Sequence, residues 1–454
     1  MRVLLRMACL LLFFGIAPIA TPAAPAAAAP EEGLVDFDGD GLVDVAAGAY
    51  TRVDVRYGRG SGVWIDWRSI SSSEVSSLGH SMATHDLNRD GYTDLVVSAP
   101  NHESSKPGAI FILYGSAQGL RTDNVRRLTS GASYSDSLGW SVAVMPGDPT
   151  LIVAGAPDLT VSGHKRAGGL VVWPVDAAGV PGKRTTLSEN SSGIPGVSES
   201  GDEFGRNIAA SGSTLVVGTP YENVGKIVDA GSVTVLERNG ATGFKGVALT
   251  QNSAGVPGSA ERYDQFGFAV AIDRGWIVAS SPGESIGKHA EVGSVQMFRY
   301  QARSLKPKPG SSFHQDSPGV PGGNERIDHF GQHLLIVRCG TGASVAVGTP
   351  LEAVGTKRNA GLVTVVPLGS GTTCPARAYD GGHFGGAVRA DAQVGLGLGL
   401  VRGPSGDHDD LLAVTTEKSD SFVGRVNPVT GARVETYPTL WGSTGITGFA
   451  LPAS

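Results

Sequence analysis

A unit of roughly 60 residues recurs along this chain, and self-similarity at that period constrains the fold more than any single motif does. A bulky residue followed by glycine marks each copy, at Leu78-Gly79, Leu138-Gly139, Phe204-Gly205, Phe266-Gly267, Phe330-Gly331 and Phe384-Gly385. Most of these steps lead to an apolar run that stops at a proline, at Pro100, Pro157, Pro220, Pro282 and Pro350. The counterpart from Leu411, LLAVTTE, lacks the proline. A Gly-led alternating segment follows from Gly108, Gly168, Gly231, Gly293 and Gly361, and period-two alternation of β-branched residues is the signature of a strand. A weaker fourth segment, such as VALTQNS from Val247, closes each unit. Four strands per unit is the size of one propeller blade. The fold predicted is therefore all-β, a seven-bladed β-propeller with four-stranded blades. A β-sandwich is the alternative, as is an open solenoid, whose units are usually shorter and end in capping repeats.

Each recurring residue has a physical task. The aromatic ring before glycine fills space between neighbouring blades, and glycine allows strands to approach closely near a crowded axis. Proline ends the second strand because it cannot donate to the next rung of the ladder. The segment VDVAAGAY from Val43 follows an acidic loop with no Gly-led strand before it, while GITGFALPAS from Gly445 resembles that missing strand. Placing Gly448–Pro452 ahead of Asp36 reproduces the order of LGHSMATHDLNRDG from Leu78. The expectation is that Gly448–Leu451 pairs with the strand around Val43–Ala47. The C-terminal strand would then complete the first blade and close the ring, removing its open edges.

Composition narrows the function classes. Gly 66 and Pro 26 suit a fold of many turns, and a net charge of −6 with no basic stripe argues against nucleic acid. Arg2 and Arg6, the apolar run from Ala8 to Ile16 and the Ala/Pro stretch Ala17–Pro30 read as an export signal, cleaved between Ala23 and Ala28. Residues 1–29 are assigned to that segment and 30–454 to the propeller, with secretion and no membrane span after cleavage as the expectations. Cleavage removes Cys9. The remaining pair, Cys339 and Cys374, falls in one repeat of an exported chain and is expected to form a disulfide.

Two loops carry the clearest chemistry, DFDGDGLVD from Asp36 and DLNRDGYTD from Asp86. Both place oxygen side chains at relative positions one, three, five and nine, with glycine after the third. Ca²⁺ takes six to eight hard oxygens from a tightly turned chain, and alternating donors on a short loop supply them. The predicted ligands are Asp36, Asp38, Asp40, the Leu42 carbonyl and Asp44 in one loop. In the other they are Asp86, Asn88, Asp90, the Tyr92 carbonyl and Asp94. An EF-hand starts in the same way but needs an acidic twelfth residue and flanking helices; here the twelfth positions are Ala47 and Val97. A pair of Asx-rich turns without an ion would crowd carboxylates with nothing to offset their repulsion. Later repeats carry short turns instead, at Ser211 and Asp273. Asp391 and Asp407-His408-Asp409-Asp410 suggest a rearranged site whose spacing an insertion spoils.

No residue set nominates itself for catalysis. Ser81, in Gly79-His80-Ser81-Met82, resembles a nucleophile elbow but occupies the strand position of its repeat with no helix after it. GLGLGL from Gly395 opens no dinucleotide-binding helix and reads as a flexible loop. His329 and His333 are four apart, which on a strand does not converge on zinc. Glu222, Glu284 and Glu352 recur after the proline turns, and Asp202, Asp264 and Asp328 before the Phe-Gly steps. Recurrence at equivalent positions indicates a structural task, the acceptance of backbone hydrogen bonds in loops between blades.

The Phe-Gly steps, the literal Gly155-Ala156-Pro157 and the Asp-rich loops resemble FG-GAP repeats, the units of the integrin α-chain N-terminal propeller. The linkers NSSGIPGVSESGDEFG, NSAGVPGSAERYDQFG and DSPGVPGGNERIDHFG are similar to those of bacterial secreted members of that family. The resemblance implies a seven-bladed ring with calcium loops and a non-enzymatic extracellular binding or adhesion module. Its partner would be an extracellular protein or glycan, and the chain is expected to be monomeric. The alternatives are an extracellular hydrolase using the propeller mouth and a cell-envelope scaffold.

Overall fold

The alternating segments become antiparallel meanders. The computed structural model describes residues 34–48, 52–58, 62–70, 75–101, 106–132, 134–403, 406–415, 422–438 and 448–452, so the export signal lies outside the described residues. Among the described residues there are 28 strands and one short helix, Trp67–Ile70. Within a typical repeat the chain runs Asn207–Ser211, Thr214–Thr219, Ser232–Arg238, Phe244–Leu249, each strand paired antiparallel to the next. The first strand of one sheet lies against the first strand of the next. This neighbour relation links Met82–His85, Val142–Met145, Asn207–Ser211, Val270–Asp273, His333–Cys339, Leu398–Arg402 and Gly448–Pro452 in turn. The architecture is an all-β propeller of four-stranded units.

Hydrogen bonding groups the strands into six sheets, where the repeat count calls for seven separate ones. Five have four strands and one has eight, and the reason is a shared strand. Gly448–Pro452 pairs antiparallel with Val45–Gly48, through Ala47↔Phe449 and Gly48↔Gly448. It also runs parallel to Met82–His85, through Ala450↔Met82 and Leu451↔Ala83. The antiparallel pairing reaches Gly48 and does not extend back to Val43, because residues up to Asp44 belong to the acidic loop.

The core lies between sheets. One apolar cluster joins Val96, Ile110 and Ile112 to Val144, Ile152 and Trp173 of the following sheet, and others occupy the next junctions in the same way. Phe204, Phe266 and Phe330 are fully buried in these layers, each removal from water contributing about 1.5–3 kcal/mol. The smallest cluster joins Ala47 to Val401, Leu412 and Val423, where the last four-stranded sheet meets the strand that follows the first acidic loop.

Glycine is required where backbones touch. A Cβ on Gly155 would sit 1.9 Å from the Gly205 carbonyl oxygen, and one on Gly218 would sit 2.0 Å from that of Gly267. The same contact in the last sheet is Gly348 against Gly395, at 2.2 Å. The step into that sheet is therefore Val394-Gly395, not Phe384-Gly385, and Gly361 bridges Val394 as Gly168 bridges Phe204. Phe384 instead fills a core position beside Tyr379, 6.1 Å between ring centroids. The GLGLGL segment is likewise no flexible loop, since Leu398–Arg402 is the first strand of its sheet. Cys339 and Cys374 are joined in a disulfide with Cα atoms 5.4 Å apart, both buried in the adjoining core layer.

Candidate metal sites

The first acidic loop folds around its own carboxylates. Asp36 Oδ1 accepts the Gly39 N–H at 2.7 Å and Oδ2 that of Gly41 at 2.8 Å. Asp38 Oδ1 accepts from Asp40 N at 3.2 Å, and Asp40 Oδ1 from Leu42 N at 2.7 Å. Gly39 and Gly41 both have positive φ, 71° and 80°, which the tight turn demands. The result brings one carboxylate oxygen each from Asp36, Asp38 and Asp40 within 4.8 Å of one another. A donor set of three hard oxygens at that spacing fits a Ca²⁺ ion with metal–oxygen bonds of about 2.3–2.6 Å.

The second loop repeats the pattern with one amide. Asp86 Oδ2 accepts from Gly91 N at 3.0 Å, Asn88 Oδ1 from Asp90 N at 3.2 Å, and Asp90 Oδ1 from Tyr92 N at 3.0 Å. Asn88 Nδ2 also donates to Asp90 Oδ2 at 2.8 Å. The two loops lean on each other. Thr93 N donates to the Asp36 carbonyl at 2.9 Å and Asp36 N to Thr93 Oγ1 at 3.1 Å, while the Tyr92 ring lies over Gly39.

Asp44 and Asp94, the ninth residues, do something the spacing alone did not reveal. Asp44 accepts the N–H groups of Phe37 at 2.6 Å and Gly58 at 2.8 Å. Asp94 accepts those of Leu87 at 2.8 Å and Gly115 at 2.9 Å. Each carboxylate thus ties its loop to the end of the strand paired after its own, Arg52–Arg56 for Asp44 and Ala109–Leu113 for Asp94, and each oxygen keeps a second lone pair. Burial pushes both carboxyls up to about 7, against the pull of those amides. The signal was present in sequence as Gly58 and Gly115, which follow Arg52–Arg56 and Ala109–Leu113.

The recurrent acids divide between two tasks. Asp202, Asp264 and Asp328 each accept one backbone N–H through Oδ2 at 2.6 Å, from Glu199, Glu261 and Glu325. Glu284 and Glu352 differ from expectation, because the donor facing each is a side chain. Gln251 Nε2 reaches Glu284 Oε2 at 2.6 Å and Gln315 Nε2 reaches Glu352 Oε2 at 2.6 Å. Burial raises Glu284 and Glu352 to about 7, and Asp264 and Asp328 to about 6. Carboxyls with raised folded values hold protons that the unfolded chain has already released. Their contribution is complete below about pH 4 and is lost as pH rises through about 7. The double variant Glu284→Gln with Glu352→Gln should flatten the fall in melting temperature between pH 4 and 8. Parallel curves for variant and parent would remove these groups from the account.

The catalytic look-alikes are absorbed by structure. Ser81 Oγ accepts the Val142 N–H of the next sheet at 3.0 Å, just as Ser141 Oγ donates to the Gly205 carbonyl at 3.0 Å. Asp410 is buried against Arg425 at 2.8 Å, Asp409 accepts the Arg338 N–H at 2.9 Å, and His408 bridges Asp407 and Asp410. Those residues form an ion-paired network and not a loop of converging oxygens. Asp391 accepts from Asn359 Nδ2 at 3.0 Å.

In a meander of four strands, the turns before the first strand and after the second lie at one end of the sheet, and the acidic loops lie at the other. The first end carries a stack of side chains. His80 and Trp140 are 4.7 Å apart by centroid, and the Arg206 guanidinium sits 4.5 Å over Trp140 and 5.5 Å over Tyr221. Exposed Tyr134, Val197, Val228, Tyr263 and Ile327 all lie in loops at this end.

Residues 36–97 match the FG-GAP-like repeat family and residues 194–236 the FG-GAP repeat family. The chain thus carries FG-GAP-type repeats, and its β-propeller is integrin-α-like. It is 31% identical over 107 residues to integrin alpha pat-2 of Caenorhabditis briggsae, covering 23% of this chain and 8% of that protein. It is 28% identical over 140 residues to integrin alpha-6 of Gallus gallus, covering 28% of this chain and 12% of that protein. The matches therefore span a small fraction of those relatives. Among solved structures, a Lactobacillus plantarum protein aligns with a TM-score of 0.50 at 9% identity, over 90% of this chain and 98% of its own, a likeness of fold alone.

Proposed function

We propose that this protein is an exported, calcium-stapled propeller that serves as a non-enzymatic extracellular binding module. In this reading the eight-stranded sheet is two blades zipped together by Gly448–Pro452, giving seven blades in a closed ring. The apolar cluster between its two halves supports that division, as does the cluster joining Ala47 to the last sheet. Calcium in the Asp36 and Asp86 loops would neutralise the facing carboxylates and pin two turns at one end, leaving the opposite end to meet a partner.

The observation that carries the binding role is the placement of exposed Tyr134, Val197, Val228, Tyr263 and Ile327 in loops at the end of the sheets opposite the acidic loops. Isolated surface valines need no explanation, but five exposed apolar side chains at one end support an interaction surface there. Tyr263 and Val228 are neighbours there, since Tyr263 N donates to the Val228 carbonyl at 3.1 Å. The test is binding of the purified chain to arrays of extracellular matrix proteins and of glycans, with and without calcium. A Val228→Ser, Tyr263→Ser variant should lose at least tenfold in affinity for whichever probe binds. No binding on either array, or turnover of ester, peptide or glycoside substrates, would overturn the proposal.

A further inference from the structure

One junction departs from its neighbours by a single side chain. Where the linkers after the fourth and fifth repeats present Gln251 and Gln315, the preceding linker presents Glu189. The scaffold is otherwise the same, with Asp202 held by the Glu199 N–H at 2.6 Å and Glu222 in the place of Glu284 and Glu352. Replacing the amide removes the N–H donor that satisfies the glutamate in the other two junctions, and adds a negative charge. Glu189 is 4% exposed and Asp202 0%. Glu189 Oε2, Asp202 Oδ1 and Glu222 Oε2 are all buried without a hydrogen-bond partner. One oxygen from each of the three residues lies within 4.8 Å of the others.

Three carboxylates facing one another, Glu189 and Asp202 buried and Glu222 half-buried, are neutralised either by protons or by a cation at their centre. The ionisable groups bearing on them are Glu199, which worsens the repulsion, and His164, which faces Asp202. Burial and this mutual repulsion push Glu189 up to about 9 and Glu222 up to about 8. The spacing is one that an ion with metal–oxygen bonds of about 2.3–2.6 Å spans. We propose that Glu189, Asp202 and Glu222 bind a hard divalent cation of the calcium type, locking the sheet that ends with Thr185–Leu187 to the one that begins with Asn207–Ser211. This site is separate from the Asp36 and Asp86 loops and stands at the other end of the sheets.

Bound metal per chain, measured after equilibration with Ca²⁺ and desalting, tests this directly, with calorimetric titration alongside. Glu189→Gln installs the side chain that the next two junctions already carry, so it should fold normally and bind one ion fewer than the parent. A loop variant, Asp40→Ala with Asp90→Ala, should keep one ion and lose it when Glu189→Gln is added. Should the loop variant fail to fold, the comparison of parent with Glu189→Gln decides alone. Mg²⁺ and Mn²⁺ are run in parallel. Equal stoichiometry in parent and Glu189→Gln for all three metals would overturn the site, with the carboxylates then neutralised by protons. A loop variant that binds as many ions as the parent would count against the loops while leaving this junction standing.

Discussion

Deleting residues 448–454 should unfold the whole propeller in one cooperative step, with a stability loss on the order of 5 kcal/mol or more. The removed strand, Gly448–Pro452, bonds to two partners at once, antiparallel to Val45–Gly48 and parallel to Met82–His85. Its loss exposes an unpaired edge on each side. Because the core lies between sheets, no sheet retains a complete hydrophobic layer once its neighbour moves away. Thermal melting of the truncated chain by circular dichroism makes the comparison, with removal of residues 453–454 alone as a control that should melt like the parent. A truncated chain with the parental melting temperature would show that Gly448–Pro452 does not hold the fold.

Stripping calcium should lower stability by an amount that calcium restores and that depends on its concentration. At a thousandfold excess over the dissociation constant, each occupied site contributes about 4 kcal/mol. Without the ion, Asp36, Asp38 and Asp40 face one another with their repulsion only partly offset by loop amides. Asp40→Ala with Asp90→Ala should abolish most of the calcium-dependent rise in melting temperature in a protein that still folds. Only the Glu189 junction would then respond. A parent protein whose melting is identical in chelator and in calcium would refute both loop sites.

The period of the repeat, the four-strand unit and the acidic loops were legible because each rests on local rules: alternation, a proline stop, a turn glycine. Misreadings came where two residues could satisfy the same rule. Phe384-Gly385 matches the aromatic-glycine pattern, yet the criterion that matters is backbone contact with the preceding Gly348, which Val394-Gly395 meets. The doubling of the first sheet was invisible because a strand's second partner leaves no mark on its own alternation. Asp44 and Asp94 looked like plain ligands in sequence, and only the fold shows them reaching Gly58 and Gly115. The Glu189 junction stayed hidden for a related reason. Its meaning lies in the contrast with Gln251 and Gln315, and that contrast acquires chemistry only when Asp202 and Glu222 are seen beside it.

Gly155 against Gly205 and Gly218 against Gly267 leave no side chain between neighbouring sheets at the inner rim. The angle between sheets there is set by main chain meeting main chain, which cannot be eased by repacking. In the ring proposed above those angles must sum to one full turn, so widening a single junction would have to be absorbed by all the others. The inner rim thus behaves as a rigid gauge for the circle.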